Sequence, residues 1–247
     1  MYTTRYSVLL RTFLKSTDQK AKTVEAIKAF VLPKLHQRGT FADLGCGSGE
    51  ISEALIPLFQ RSVLADLDAS NVSKLVKKLG MRKDVRILRE DLNTFVPDFQ
   101  ADLILISFFL GYVGATLPAR ERFVFRIHML NQYFRHLNPK GKMVIVDTTF
   151  SGPYRNLFDY LGVPIHGEIE QLIQEITTER ESSQHAFEVT VKTRTIEEMV
   201  LCLRLITYDD GYSRLNLIPR YLEFCHSLLR EDGMWVFRYT TVLTVAG

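Results

Sequence analysis

The residues best suited to chemistry stand together at Phe41–Ser52, FADLGCGSGEIS. Gly45, Gly47 and Gly49 follow the apolar, strand-like Phe41 and Ala42 and precede a helix-forming run from Glu50 to Leu58. Glycine has no Cβ, so a backbone built from it can approach a ligand closely. The helix behind the loop would aim its unpaired N–H groups at the same spot. Asp66 closes the next apolar run, Ser62–Ala65. A carboxylate about 20 residues beyond the first glycine of a βαβ unit can accept hydrogen bonds from a ribose. The pattern predicts a nucleoside-containing cofactor.

Other reactive residue types are placed less tellingly. Cys46, Cys202 and Cys225 are an odd count with no CxxC pair, which argues against a disulfide framework or a structural zinc and fits a reducing compartment. Cys46 sits inside the glycine loop as a small filler. The six histidines show no metal-ligand spacing, and no metal is expected. His166, beside Gly162 and Gly167, is the one placed to act as a catalytic base. Lys74, Lys77, Lys78, Arg82, Lys83 and Arg86 form a cationic stripe, read either as a phosphate-contacting surface or as the solvated face of a helix. A formal net charge of +3 does not by itself argue for nucleic acid. The N-terminus has no apolar core of a signal peptide, and no stretch approaches the roughly 20 apolar residues that span a bilayer. A cytoplasmic protein without a membrane segment is expected, as a monomer or a homodimer.

These residues need a frame to position them. Strand-like and helix-like patterns alternate through the first 150 residues. Val24, Ile27, Val31 and Leu35 recur at helical spacing; Val72, Leu75, Val76 and Leu79 mark a helix that Ser70 could cap. Val85–Leu88 and Asp102–Ser107 read as strands buried on both faces. Phe123, Ile127, Leu130, Phe134 and Leu137 share a helix face, Asn138–Gly141 stops that helix, and Lys142–Thr148 is a fifth strand. Pro57 would kink the last turn after the glycine loop. Beyond residue 150, helices are predicted at Glu168–Glu181, Glu197–Leu205 and Pro219–Arg230, with strands at His185–Thr195 and Met234–Val245. The expected fold is α/β: a doubly wound, Rossmann-like, seven-stranded, mostly parallel sheet with an antiparallel edge strand and a helical cap. No linker or repeat divides the chain. One domain is expected over 1–247, with an N-terminal helical lid at 1–38, a cofactor-binding core at 39–150, a cap at 151–184 and C-terminal strands and helices at 185–247.

DLGCGSGEIS, LADLD, REDLNTF, ADLILISFFLGYV and HLNPKGKMVIVDT, in that order across 41–149, resemble the class I S-adenosylmethionine-dependent methyltransferases. Glu50 stands where a dinucleotide-binding GxGxxG loop would carry its third glycine. The resemblance implies S-adenosylmethionine as cofactor and S-adenosylhomocysteine as product. It implies that Gly45, Cys46, Gly47 and Gly49 cradle the methionine and ribose portions, with Asp43 orienting the loop or the amino group. Asp66 would take the ribose hydroxyls and Leu67 would pack on the adenine. Asp91 would accept the adenine amino group, Leu92 would offer a backbone N–H, and Ser107 would lie where cofactor and acceptor meet.

Methyl transfer from a sulfonium is an in-line displacement that needs mainly positioning, so no catalytic motif is required. Ser107-Phe108-Phe109-Leu110 stands where methylases of nucleobase or glutamine amides carry (N/D)PP(Y/F), which counts against such acceptors. Phe108, Phe109 and Tyr112 either wall an apolar or cationic acceptor pocket or serve the core. The N-terminal YSVLLRTFLKSTD and C-terminal VFRYTTVLTVAG are similar, more loosely, to histamine N-methyltransferase-like small-molecule methyltransferases. That likeness implies acceptor contacts at Tyr6, Asp18 and Tyr239, although Asp18 could equally cap the helix beginning near Gln19. A methyltransferase of nitrogen or oxygen on a small molecule is expected; the rival readings are an RNA or protein methyltransferase and a non-catalytic scaffold of the same fold.

Overall fold

The computed structural model describes residues 6–163, 168–207 and 215–247. His166 and the side chain of Tyr6 lie outside the described residues. Seven strands follow one another across the sheet in the order β3-β2-β1-β4-β5-β8-β6, and β7 pairs with β8 beside this path. The chain divides into two compact units, each with its own core.

The first unit comprises Thr23–Asp147, Gly167–Ala186 and Val242–Gly247. Its centre is β1 (Thr40–Leu44), flanked in parallel by β2 (Arg61–Asp66) and β4 (Ala101–Ser107), with β3 (Val85–Arg89) and β5 (Leu137–Thr148) outside them, also parallel. All seven residues of β4 are buried, as its unbroken apolar run requires when both sheet faces are covered. The covering helices are α3 (Glu50–Leu55), α4 (Ala69–Leu79), α5 (Ala119–Phe134) and α7 (Glu168–Thr177). Ile169, Leu172, Ile173 and Ile176 of α7 bury their stripe in the cluster around Ile104, Leu130 and Ile145. Each such side chain contributes about 1.5–3 kcal/mol by leaving water.

Two sequence expectations shift here. Asp68, not Ser70, caps α4: its carboxylate accepts from the backbone N–H groups of Ser70 (2.7 Å) and Asn71 (3.0 Å). Pro57 does not kink α3 but sits in a 3-10 turn, Ile56–Leu58, that follows it. Strand β5 begins earlier than expected, because Leu137 already pairs with Ala101 before Asn138–Gly141 loops out; the regular register resumes at Lys142 opposite Leu103.

The second unit comprises Met1–Lys22, Thr148–His166 and Phe187–Thr241. It holds α1 (Tyr6–Ser16), α6 (Gly152–Leu161), α8 (Ile196–Ile206) and α9 (Ile218–His226). Helix α2 (Gln19–Phe30), like β6 (Ser182–Thr193) and β8 (Met234–Ala246), has residues in both units. Its core is aromatic: Phe150, Tyr154, Phe158, Phe237 and Tyr239 pack with Leu157, Met199 and Leu203. Helix α8 starts on a capping box, the Thr195 hydroxyl accepting from the Glu198 N–H while Glu198 reaches back. The helix expected to run to Arg230 stops at His226. Leu229–Glu231 instead forms β7, paired antiparallel with the start of β8 through Asp232-Gly233, both at positive φ. Asp-Gly is the pair that a two-residue hairpin favours. The segment expected as a single cap carries α6 in this unit and α7 in the other.

Candidate cofactor site

The glycine loop leaves the carboxyl end of β1 and is stitched to β2 at once. The N–H groups of Gly45 (2.8 Å) and Cys46 (3.1 Å) both donate to the carbonyl of Ala65, and Gly49 N–H closes a turn on Cys46 (3.0 Å). All three glycines have left-handed backbones, at φ +80°, +58° and +84°. Their open sides differ. A Cβ on Gly45 would lie 2.5 Å from a ring carbon of Phe109, and one on Gly49 would lie 2.4 Å from a methyl of Leu75. A Cβ on Gly47 would meet nothing within 4 Å. Only Gly47 therefore offers close approach to a ligand from outside; Gly45 and Gly49 serve internal packing.

The acidic residues divide in the same way. Asp43 is 1% exposed, and its carboxylate accepts the Ser52 hydroxyl at 2.5 Å, tying the strand to the first turns of α3. Asp66 is half-buried at the carboxyl end of β2. One of its oxygens accepts Gly47 N–H at 2.8 Å; the other accepts Asp68 N–H at 2.9 Å and the Asn71 amide at 3.4 Å. A carboxylate offers about four acceptor positions, so one remains for a ligand. Leu67, the next residue, is an apolar side chain left 56% exposed.

Beyond β3, Asp91 Oδ1 accepts both the backbone N–H (2.9 Å) and the amide (2.6 Å) of Asn93, which shapes the turn and leaves Oδ2 without a hydrogen bond among the described residues. The Leu92 carbonyl takes the buried Tyr133 hydroxyl at 3.0 Å, fixing the peptide from behind. Burial, then the Asp91 charge, pushes the Tyr133 phenol up, so it remains a donor.

At the end of β4, Ser107 is buried and Phe108 takes a left-handed backbone at φ +58°. Its N–H still donates to Val146 at 3.0 Å, so the strain is imposed where the strand breaks away from its neighbour. The next turns, Leu110–Tyr112 and Val113, are gripped by Arg126 of α5, which is 3% exposed and donates 2.9 Å bonds to the carbonyls of Val113 and Gly111. Gly114 N–H donates to Asn93 Oδ1 at 3.1 Å, so the loops after β3 and β4 are latched together. Phe109 packs on the core, and Tyr112 is 51% exposed.

An open glycine, a carboxylate with one position to spare and an exposed apolar side chain thus lie along neighbouring strand ends. Residues 42–145, which hold all of them, match the sequence family described as a methyltransferase domain. Over these residues the chain carries a methyltransferase domain. The domain is that of an S-adenosylmethionine-dependent methyltransferase. No curated protein matches the methyltransferase in sequence. Among solved structures, a protein of Bacillus halodurans C-125 superposes with a TM-score of 0.59 at 14% identity, covering 91% of this chain and 98% of its own. The N-methyltransferase NodS of Bradyrhizobium japonicum WM9 gives 0.54 at 12% identity, covering 92% and 96%. The plantazolicin methyltransferase BpumL, in complex with S-adenosylhomocysteine, gives 0.53 at 16% identity, covering 92% and 83%. At these identities the likeness speaks for the fold. The residues present fit an adenosine-bearing cofactor: a flat apolar ring can cover Leu67, a diol can reach Asp66, and a chain can pass over Gly47.

In the methyltransferase's other unit, the expected acceptor contacts are otherwise engaged. Asp18 Oδ1 accepts Thr190 N–H at 2.8 Å, and Asp18 N–H donates to the Thr190 carbonyl at 3.1 Å, so this residue fastens the chain to β6. The cap on Gln19 N–H is the Thr17 hydroxyl, at 3.2 Å, not Asp18. Tyr239 is 2% exposed, its hydroxyl accepts the Gln19 amide at 3.0 Å, and burial pushes its phenol up.

Cys46 is buried, and burial followed by the charges of Asp43 and Asp66 holds its thiol protonated, which removes it as a nucleophile. Three of the six cations of the stripe stand in ion pairs at the surface: Lys78 with Glu53 (2.5 Å), Arg82 with Asp84 (2.6 Å) and Arg86 with Asp98 (2.7 Å). Among the described residues no group of three or more His, Cys, Asp or Glu could hold a metal, and no helix is long and apolar enough to cross a membrane. Ser52, Asn71, Asn93, Arg126 and Tyr133 are the positioning residues that motif spacing did not single out. The one readable signal among them is Ser52, on the buried face of the first turn of α3.

Proposed function

We propose that the methyltransferase places its methyl group on a nitrogen or oxygen of a small organic acceptor. S-adenosylmethionine, when bound, would supply a sulfonium methyl carbon open to in-line attack by an acceptor lone pair, with the neutral thioether as leaving group and any N–H or O–H proton of the acceptor passing to water. On this proposal Gly47, Asp66, Leu67, Asp91 and Leu92 bind the cofactor. Gly45, Gly49 and Asp43 hold the loop, and Ser107 marks the reacting end. Tyr112 would face the acceptor. Roles for Tyr6, Asp18 and Tyr239 at the acceptor rest on the family likeness, and a base role for His166 rests on its place in the sequence beside Gly162 and Gly167.

The observation that carries the small-molecule reading is the chain after β4, where Ser107-Phe108-Phe109-Leu110 presents no side-chain amide or carboxylate to hold a flipped base or glutamine. NodS and BpumL, both methyltransferases by name, are consistent with it. The test is turnover of radiolabelled S-adenosylmethionine by the full chain on a library of amines, phenols and carboxylic acids, beside a total RNA pool and a protein pool. Label entering only the small-molecule arm is expected. Label entering only RNA or protein would overturn the acceptor class while leaving the methyltransferase assignment intact.

A further inference from the structure

The glycine loop occupies the carboxyl ends of the strands. At their amino ends, within the same unit, a concavity of about 570 Å³ is lined by Lys34, His36, Lys140, Lys142, Glu181 and Ser183, with Val245 and Gly247 at its side. The lining brings three lysines together with one glutamate side chain. Nothing in methyl transfer at the opposite edge uses them.

We propose that this concavity binds a dianionic phosphoryl group, as inorganic phosphate or as a phosphate monoester. Lys142 and Lys34 are each held by a hydrogen bond. Lys142 is the floor: its side chain is only 13% exposed, and its ammonium donates to the Gly247 carbonyl at 3.0 Å. Its one carboxylate neighbour, Glu181 at 3.5 Å, is 89% exposed, so that pairing is weakened by water and leaves the cation available. Lys140 rides on the turn Asn138–Gly141, where it adopts φ +66°. That turn is pinned beneath by the Asn138 amide on the buried Asp102 carboxylate (2.9 Å), whose other oxygen takes Thr40 N–H (2.8 Å). Asp102 is therefore satisfied within the wall and does not line the concavity.

Lys34 donates to the Ser183 hydroxyl at 3.1 Å. A hydroxyl that accepts from an ammonium still has its own proton to give, so Lys34 and Ser183 present a cation and an O–H donor side by side. The positive field is felt nearby: His185, stacked on Phe30 with ring centroids 4.2 Å apart, has its pKa lowered by burial and then by Lys34. Several ammonium donors with a hydroxyl suit a tetrahedral oxyanion with charge on several oxygens better than a monoanionic carboxylate. The volume admits an organic carrier as well as the bare ion.

The test is calorimetric titration of the full chain with inorganic phosphate and with glycerol phosphate, each against sodium chloride at equal ionic strength. Saturable binding of at least one phosphate is expected. Lys34→Met and Lys140→Met, both at exposed positions, should each weaken it by about tenfold, while S-adenosylhomocysteine affinity stays unchanged in both. Equal affinity for the two ligands would mark the free ion, and tighter binding of the ester would mark an organic phosphate. Heats matching those of chloride, or affinities unchanged in both variants, would overturn the proposal. The retained S-adenosylhomocysteine binding separates such a failure from any failure of the methyltransferase assignment.

Discussion

Gly45→Ala and Gly47→Ala should act on different properties of the methyltransferase, although the two residues are neighbours in one motif. Both substitutions force alanine into a left-handed backbone, at φ +80° and +58°, which costs about 1–2 kcal/mol. At Gly47 that is the whole structural cost, because the new methyl would meet nothing within 4 Å, and a less floppy unfolded chain offsets part of it. A net loss of about 1 kcal/mol is expected, or roughly 2–4 °C in the unfolding midpoint for a chain of this size. At Gly45 the methyl would also lie 2.5, 2.9 and 3.0 Å from three carbons of the Phe109 ring. All are far inside ordinary contact, and the ring is itself packed on the core, so overpacking adds about 1–3 kcal/mol. Gly45→Ala should therefore lower the midpoint by on the order of 10 °C. Cofactor affinity should move the other way. The Gly47 methyl projects into the space a ligand would fill, so S-adenosylhomocysteine binding should weaken by about tenfold or more, as loss of a close backbone approach implies. Thermal unfolding by circular dichroism and calorimetry with S-adenosylhomocysteine give the two readouts. Combining Gly45→Ala with Phe109→Ala should cost less than the sum of the singles, because the clash disappears. Equal midpoint losses for the two glycine variants, or unchanged ligand affinity in Gly47→Ala, would refute the division of labour.

Asp66→Ala should weaken S-adenosylhomocysteine binding by about 1–3 kcal/mol and also lower stability, since Gly47 N–H loses its acceptor; calorimetry with a parallel melt checks both. Arg126→Met leaves the carbonyls of Gly111 and Val113 without their buried donor and should cost about 2–4 kcal/mol, read as a lower denaturant midpoint. The thiols of Cys202 and Cys225 are each pushed up to about 12 by burial, from an ordinary 9.0, and Cys46 is pushed higher still. Unfolded thiols thus ionise while folded ones remain neutral, so the midpoint should fall as pH rises from about 8 to about 10.5, and replacing the cysteines with serine or alanine should flatten that fall. A thiol reagent at pH about 8 should label none of the three in the native chain and all three in denaturant.

Much of the architecture was legible because it rests on local rules. The strands β1, β2 and β4 announce themselves as short apolar runs, and the stripe Ile169, Leu172, Ile173 and Ile176 is a helical period that any covered sheet would bury. The β7–β8 hairpin escaped because Leu229, Arg230 and Glu231 continue a helical pattern, and only Asp232-Gly233 marks the reversal. Asp68 escaped as a cap because its neighbour Ser70 is an equally good capping type; the choice depends on which residue keeps an extended backbone, and Asp68 does, at φ −72° and ψ 113°. Tyr239 and Asp18 looked like acceptor contacts on family likeness, whereas here Gln19 and Thr190 take their polar atoms.

The sequence by itself determined which chemistry the chain can host. Glycines at alternate positions after a strand, with acids at the ends of the following strands, are a requirement of backbone geometry and hydrogen-bond type, and both are written in residue identity and spacing. What each of those residues does was decided only by the tertiary structure. Whether a missing Cβ makes room for Phe109, for Leu75 or for a ligand depends on what the fold brings to that glycine from elsewhere in the chain. The same holds for the cations: Arg82 and Arg86 pair with carboxylates close by in the sequence, while Lys34, Lys140 and Lys142 are brought from separate segments to one end of the sheet. Proximity between distant residues is a property of packing, and spacing along the chain does not encode it.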